Sequence, residues 1–438
     1  MKLGDYVINR LAEMGADKMF VVYGAANGDL IDAFTRNKKT DYVAVMHEQA
    51  GGFAAESYAK VKKVPGVAIA TSGPGGMNLL TPMGNCFYDS TPAIFITGQI
   101  NSQFLRGDDS IRQVGFQECD IVSMAKPVTK YAVMIKNPDE IRYELEKCIH
   151  LTQEGRPGPV LLDIPLNIQK ADIDPDKLHG FDPNRATMKY NLEEVDSQIE
   201  QIIDDFSRAK RPAIMVGMGV RIADASDELR ELGELLNVPV YPTWNALDVV
   251  TSDYKQYGGR IGTYGGAGRN FGIQNSDLLL AIGSRISGRI TGGNIHSFAR
   301  EAKKIVVDVD QSLLQKKLQQ VPFDINILCD AKIFLKRILS RLKDTELINK
   351  IPNFSKWTEK CMVWKNKYDP VKKEFFDQKK DVHPYAFMRT LSDEMSSDSI
   401  LVGDCGGNIV VSNHSFETKY GQRNLTNNGN SPMGFSFC

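Results

Sequence analysis

Glu48 stands in VMHEQAGGFAAESYAK, residues 45–60, where an apolar run gives way to helical spacing. A carboxyl buried at a strand end has its pKa raised, which lets it hold or share a proton near neutral pH. A carboxylate in the first turn of a helix instead complements the helix dipole. Local sequence leaves both readings open. Two glycine-bearing turns accompany it. VVYGAANGDL, residues 21–30, carries Gly24, Ala26 and Gly28, and glycine lets a backbone approach a ligand closely. TSGPGGMN, residues 71–78, carries Ser72, Gly73, Gly75 and Gly76, whose N–H groups would face an anion at a helix start. It lacks the GxxxxGK[ST] pattern, so a nucleoside triphosphate site is not supported. A further loop holds Gly115, Phe116, Gln117 and Glu118, followed by GRPGPVLLDIP at 155–165.

These residues need a frame. From residue 1 to about 170, short apolar runs (MFVVYG, YVAVMHE, GVAIATSG, AIFITGQ, PVLLDIP) alternate with helical periods such as 49–61 and 140–151. That alternation predicts an α/β unit, a doubly wound parallel sheet with ligands at the carboxyl ends of its strands. The segment 166–192 reads as a linker. Residues 193–342 repeat the α/β style with PAIMVGMG, PVYPT, DLLLAIG and KIVVDVD. A charged, largely helical connector runs over 343–381. A third unit starts near His383 and holds one helix and one or two strands by residue 438, too little to bury a core alone. The apolar ending GFSFC favours a chain that continues.

Composition narrows the partners. The 438 residues carry 53 Lys and Arg against 54 Asp and Glu, so no basic footprint points to nucleic acid or an anionic membrane. No stretch reaches the roughly 20 apolar residues of a membrane span. Seven cysteines without CxxC spacing argue against a disulfide framework or a zinc site and for a reducing, cytoplasmic setting.

Taken in order, HEQAGGFAAESYAK, SGPGG, ITGQ, GFQE and GRPGPVLLDIP resemble the family of thiamine diphosphate dependent enzymes typified by acetolactate synthase. The resemblance runs the length of the chain. It implies a pyrimidine-binding domain over 1–170, a central domain over 193–342 with an FAD site in many members, and the start of a diphosphate-binding domain over 383–438. Glu48 would then hydrogen-bond a ring nitrogen of the aminopyrimidine and tune the cofactor, whose own imino nitrogen takes the thiazolium proton. Gln117 would face the reacting centre and Phe116 would wall the substrate channel, unless Phe116 is simply core. Gly24, Ala26, Ser72 and Gly75 would lie on the cofactor's pyrimidine side. Gly406, Gly407 and Asn408 would meet the diphosphate, Ser431 would offer a backbone carbonyl to the amino group, and Met433 would prop the folded cofactor.

In the central unit RIGTYGGAGRNFGI, 260–273, and GSRISGRITGG, 283–293, resemble FAD-binding segments, with Arg285 on the phosphates and Arg289 by the channel. The family's two aspartates before that arginine are Ser287 and Gly288 here, which leaves flavin binding open and sets a cofactor-free central domain beside it. The family's GDG motif for Mg2+ lies downstream of the MGF string, so no metal ligand is assigned in this chain and the ligands are expected beyond Cys438. The chain as written is therefore expected not to turn over. The activity implied is decarboxylation of a pyruvate-like 2-oxo acid with acyl transfer to a carbonyl acceptor, a transferase and lyase chemistry in a homodimer or homotetramer. A 2-oxo acid decarboxylase, a C–C bond hydrolase and a catalytically silent binding module are the rivals. No adjacent His-His pair of the pyruvate decarboxylase kind is present.

Overall fold

The computed structural model describes residues 1–108, 110–185, 187–315 and 320–437. The chain forms two compact units, one of residues 1–188 with the segment from Asn427, the other of Lys189–Thr426.

The first unit is built on six parallel strands, β1 (Lys18–Val21), β2 (Asp41–Ala44), β3 (Gly66–Ala70), β4 (Ala93–Gln99), β5 (Tyr131–Met134) and β6 (Pro159–Pro165), in the order β2-β1-β3-β4-β6-β5. Strands β3, β4 and β6 are buried at every residue, which is why they read as continuous apolar runs. Side chains alternate between two cores. Val67, Ile69, Ile94, Ile96, Val160 and Leu162 pack with the helix Leu3–Glu13. Ala68, Phe95 and Leu161 face Ala55 of the helix Glu48–Lys62 and Met83 of the helix Leu80–Tyr88.

Glycine sets how closely Glu48–Lys62 sits on the sheet. A Cβ at Gly66 would lie 1.9 Å from the Ala55 carbonyl oxygen, and one at Gly52 would lie 2.3 Å from the Pro82 ring. Strand β2 is one of the two outer strands of the sheet. The run YVAVMHE forms only Asp41–Ala44 as strand; Tyr42 and Val43 stay exposed, and Met46 is 100% exposed.

The second unit carries β7 (Pro212–Val216), β8 (Val240–Pro242), β9 (Leu278–Ile282), β10 (Lys303–Asp308) and β11 (Ile325–Leu328), parallel in the order β11-β10-β9-β7-β8. Helices Leu192–Arg208, Ser226–Leu236 and Ala331–Leu342 bury Ile199, Leu232 and Phe334 in the core on one face. Tyr241, Ile273 and Phe298 join Met215 and Leu279 in the core on the other. The same unit holds the parallel pair β12 (Ile400–Val402) and β13 (Arg423–Leu425), connected through the helix Gly407–Ser415. Arg260 is 1% exposed and donates to the carbonyls of Ser412, Asn413 and Phe416, closing the open C-terminal end of that helix.

Candidate cofactor site

The turns after β1, β2 and β3 lie side by side because the three strands are parallel neighbours. Gly24 is extended, φ −160°, so its conformation suits any residue. Space decides its identity: a Cβ there would lie 2.5 Å from Thr71 Cβ. Ala26 donates its N–H to Thr71 Oγ1 at 3.3 Å, and its carbonyl accepts from Gln169 Nε2 at 2.8 Å. The Gly24–Ala26 turn is thus clamped onto the residue that precedes Ser72. Ser72 is buried, and Gly73 takes φ +60°, which favours glycine. The helix that follows, Pro74–Asn78, is five residues long. The N–H groups of Gly75 and Met77 donate to Ser72 and Gly73 carbonyls within the turn, which commits Gly75, one of the donors that the anion reading of this turn would use.

Glu48 is the first residue of the helix Glu48–Lys62, and the N-cap His47 accepts from the Gln49 N–H through Nδ1 at 3.1 Å. Of the two readings of Glu48, the helix-start position is the one adopted, since β2 ends four residues earlier at Ala44. The side chain is half-buried all the same. Asn78 Nδ2 donates to Glu48 Oε2 at 2.8 Å. Its other oxygen, Oε1, lies 3.4 Å from the point a Cβ on Gly75 would occupy. The carboxyl is held by one oxygen and presents the other toward the Gly75 turn.

The loop after β4 closes on the same turn. Gln117 has φ +63°, left-handed and uncommon for a side-chain-bearing residue, and its carbonyl oxygen lies 3.0 Å from a Cβ built on Gly73. Phe116 beside it is 85% exposed, so the core-packing alternative does not describe it. Glu118 accepts from the N–H groups of Arg106 at 2.6 Å and Val114 at 2.8 Å. Partial burial acts to raise the Glu118 carboxyl, but these backbone donors and Gly115 outweigh it and hold it below the usual range. Gln99, at the end of β4, donates to the Cys119 carbonyl at 2.8 Å and to Asp163 Oδ2 at 3.1 Å, and Thr97 Oγ1 donates to Asp163 Oδ1 at 2.7 Å. Asp163 is fully buried, and burial pushes its carboxyl up to about 7 against the pull of the Thr97 and Gln99 donors. Asn78, Thr71, Gln99 and Asp163 are supporting residues that motif reading did not single out. Asp163 alone carried a signal, a carboxylate inside the apolar run PVLLDIP.

The remaining assigned residues fall in two places. Ser431 adopts φ +54°, so both Gln117 and Ser431 hold backbone conformations that cost energy, of a kind that collects at functional sites. Met433 is 85% exposed. Gly406, Gly407 and Asn408 form an exposed turn from β12 into the helix Gly407–Ser415, with Gly406 at φ +64° and Asn408 Oδ1 accepting from the Asp404 N–H at 3.0 Å.

Comparison with known proteins decides the family. Residues 1–124 match the description "Thiamine pyrophosphate enzyme, N-terminal TPP binding domain", and residues 199–338 match "Thiamine pyrophosphate enzyme, central domain". The chain is 32% identical to the probable acetolactate synthase large subunit of Methanococcus aeolicus, over 96% of this chain and 70% of that protein. The chain belongs to the thiamine pyrophosphate enzyme family. It is 31% identical to the probable acetolactate synthase large subunit of Methanocaldococcus jannaschii, over 100% of this chain and 72% of the relative. It is 34% identical to the acetolactate synthase large subunit of Corynebacterium glutamicum, over 98% of this chain and 66% of the relative. The chain spans about two thirds of the length of these relatives.

In this thiamine pyrophosphate enzyme the first unit fits the pyrimidine end of the cofactor. A half-buried carboxylate fixed by one oxygen, with the other facing a glycine turn, suits a ring nitrogen that must gain or share a proton. Among the described residues no group of three or more His, Cys, Asp or Glu side chains is placed to hold a metal ion.

The central unit does not fit a dinucleotide along the glycines 258–272. A Cβ at Gly258 would lie 2.3 Å from the Tyr241 ring, one at Gly268 2.1 Å from the Trp364 carbonyl oxygen, and one at Gly272 1.7 Å from Tyr241 Oη. These glycines admit the chain's own groups. The cavity beside them, lined by Gly262, Asn270 and Thr291 among others, measures about 130 Å³, below the roughly 300–1,000 Å³ of ligand pockets. Arg285 is exposed at the end of β9, and Arg289 lies over the Trp244 and Tyr264 rings at 5.6 and 5.8 Å.

Proposed function

We propose that this chain supplies the pyrimidine-side residues of an acetolactate synthase-like carboligase, which decarboxylates a pyruvate-like 2-oxo acid and transfers the acyl unit to a carbonyl acceptor. The observation that carries the reading is the Glu48 carboxyl, half-buried, fixed through Oε2 by Asn78 and directed through Oε1 at the Gly75 turn. Thiamine diphosphate, when bound, supplies the electron sink that decarboxylation requires. Glu48 turns Oε1 toward the aminopyrimidine ring, Asn78 fixes the rotation of that carboxyl through Oε2, and the clamped turns at Gly24 and Ser72 hold the backbone beside it. Gln117 faces the reacting centre, and Phe116 walls the substrate channel once a partner surface covers it. The relatives named acetolactate synthase favour carboligation over simple decarboxylation or C–C hydrolysis. No step is assigned to flavin, since Tyr241 and Trp364 fill the approach at Gly258, Gly268 and Gly272.

The assembly we propose is a homodimer or a homotetramer built from such dimers. Tyr23 is 71% exposed and lies, with Met46 and Phe116, on the turns and loop of the site itself, and apolar groups so placed call for a covering surface. No helix among the described residues is long and apolar enough to cross a membrane. The six described cysteines are free, which supports a reducing, cytoplasmic setting. Mg2+ as the diphosphate's counter-ion belongs to this reading, with no ligand assigned in this chain. The experiment is calorimetric titration of thiamine diphosphate, with Mg2+ present, into wild-type and Glu48→Gln protein. The reading expects binding to the wild type that Glu48→Gln weakens at least tenfold; equal affinity for the two proteins contradicts it.

A further inference from the structure

Helix Glu48–Lys62 carries a second acidic residue two turns beyond Glu48. Glu56 is 0% exposed and pairs with Lys60 Nζ at 2.6 Å, itself nearly buried. Asp89, just past the helix Leu80–Tyr88, is also buried and acts electrostatically on the same ammonium. One cation therefore faces two buried carboxylates, an arrangement that is costly unless further donors satisfy them.

Donors to both Asp89 oxygens and to Glu56 Oε1 come from a segment more than 330 residues away in sequence, while Glu56 Oε2 has no hydrogen bond among the described residues. Asn428 and Gly429 donate their backbone N–H groups to the two oxygens of Asp89 at 2.8 and 2.9 Å. Asn427 Nδ2 donates to Glu56 Oε1 at 3.0 Å, and Asn430 Nδ2 to the buried Asn85 Oδ1 at 2.9 Å. The other end of the Asn427 side chain folds the segment on itself, since its Oδ1 accepts from the N–H groups of Asn430 and Ser431. Gly429 is required for the approach, because a Cβ there would lie 2.4 Å from Tyr88 Cβ. Phe435 then packs edge-on against Phe53 at 5.7 Å and lies 5.4 Å from Lys60 Nζ.

The left-handed Ser431 and the exposed Met433 sit between these two anchors. We propose that Glu56 and Asp89 are positioning residues, which seat the segment 427–435 on the pyrimidine unit and so fix Ser431 and Met433 for the cofactor. This rests on the thiamine diphosphate reading above. Neither carboxylate touches the cofactor: each acts through the donors of Asn427, Asn428 and Gly429.

The test has two arms. The first is amide hydrogen exchange in the cofactor-free protein. Asp89→Asn and Glu56→Gln should each speed exchange at residues 428–431 at least tenfold while amides of β4 keep their protection. Gly429→Ala, which alters the segment and leaves both helices intact, should do the same and covers the case in which a helix variant fails to fold. The second arm is thiamine diphosphate affinity with Mg2+ present, expected to fall about tenfold in all three variants. Unchanged exchange overturns the seating. Faster exchange with unchanged affinity overturns the positioning role, provided Glu48→Gln does weaken affinity. If Glu48→Gln also leaves affinity unchanged, the functional reading has failed, and the positioning role with it, while the exchange result still stands for the docking.

Discussion

Asn78 donates its side-chain amide to Glu48 across 30 residues of sequence, at 2.8 Å. The bond ties the turn after β3 to the helix after β2, so the orientation of one carboxyl depends on the spacing of two strands that are not neighbours, with β1 between them. A short amide has few rotamers, and one accepted bond removes the free rotation that would otherwise let Oε1 swing toward solvent. Pre-organisation of this kind, established before any ligand arrives, spares a bound group the cost of orienting the carboxyl.

The pH dependence of stability should carry the mark of Asp163. Its folded-state pKa is pushed up to about 7 by burial, while an unfolded chain's aspartate titrates near 3.9. The folded protein then holds the extra proton between those values. The contribution to stability is fully present below about pH 4 and is lost as pH rises through about 7, a fall on the order of 4 kcal/mol. Urea unfolding across pH 4–8 measures it. Asp163→Asn, which keeps the shape without the titration, should flatten that slope.

How much of this was legible can be argued residue by residue. GVAIA, AIFITGQ and PVLLDIP announced themselves because a parallel strand covered on both faces must be apolar throughout. YVAVMHE announced a strand but not its place at the sheet's edge, since an apolar residue reads the same whether its own chain or another surface covers it. YAVM at β5 and INIL at β11 were missed, each four residues long and partly exposed. Glu48 was found from its neighbours in the motif; Asn78 was not, because the pairing exists only once two turns are brought together. The glycines of 260–273 suit a flavin site and a cofactor-free domain alike. Glycine reports a close approach without saying by what, and here the approaching groups are Tyr241, Arg269 and Trp364.

Arg260 should prove structurally costly to replace. Arg260→Met would remove three bonds at once: the Ser412 carbonyl would still accept from the Phe416 N–H and that of Asn413 from Arg269, but the Phe416 carbonyl would lose the guanidinium that donates to it. At about 1–3 kcal/mol for a buried group left unsatisfied, the loss should be about 1–3 kcal/mol. Denaturant unfolding of the variant measures it, and a loss below about 1 kcal/mol would show that water replaces the guanidinium.

Purified protein should be colourless and should not retain added flavin on gel filtration. Gly272→Ala should destabilise the second unit whether or not flavin is present, because the new methyl meets Tyr241 Oη. Stoichiometric yellow flavin in the purified protein would show instead that the loop opens to admit it.

Sedimentation at micromolar concentration should show a dimer or larger assembly. Met46→Glu places a charge on a fully exposed apolar position next to Glu48 and should shift the distribution toward monomer. A compact wild-type monomer would remove the support that Tyr23, Met46 and Phe116 lend to the assembly.

The role of Glu48 is tested most directly by the exchange of the thiazolium C2 proton of thiamine diphosphate for solvent deuterium. Proton NMR follows it in the presence of saturating protein and Mg2+, with saturation confirmed by titration of the same samples. Proton transfers assisted by a positioned group are typically worth 10²-fold to 10⁴-fold. The account predicts that Glu48→Gln slows the protein-promoted exchange by a factor in that range while the fold is retained. A decrease of less than about tenfold, with the cofactor bound, would contradict it.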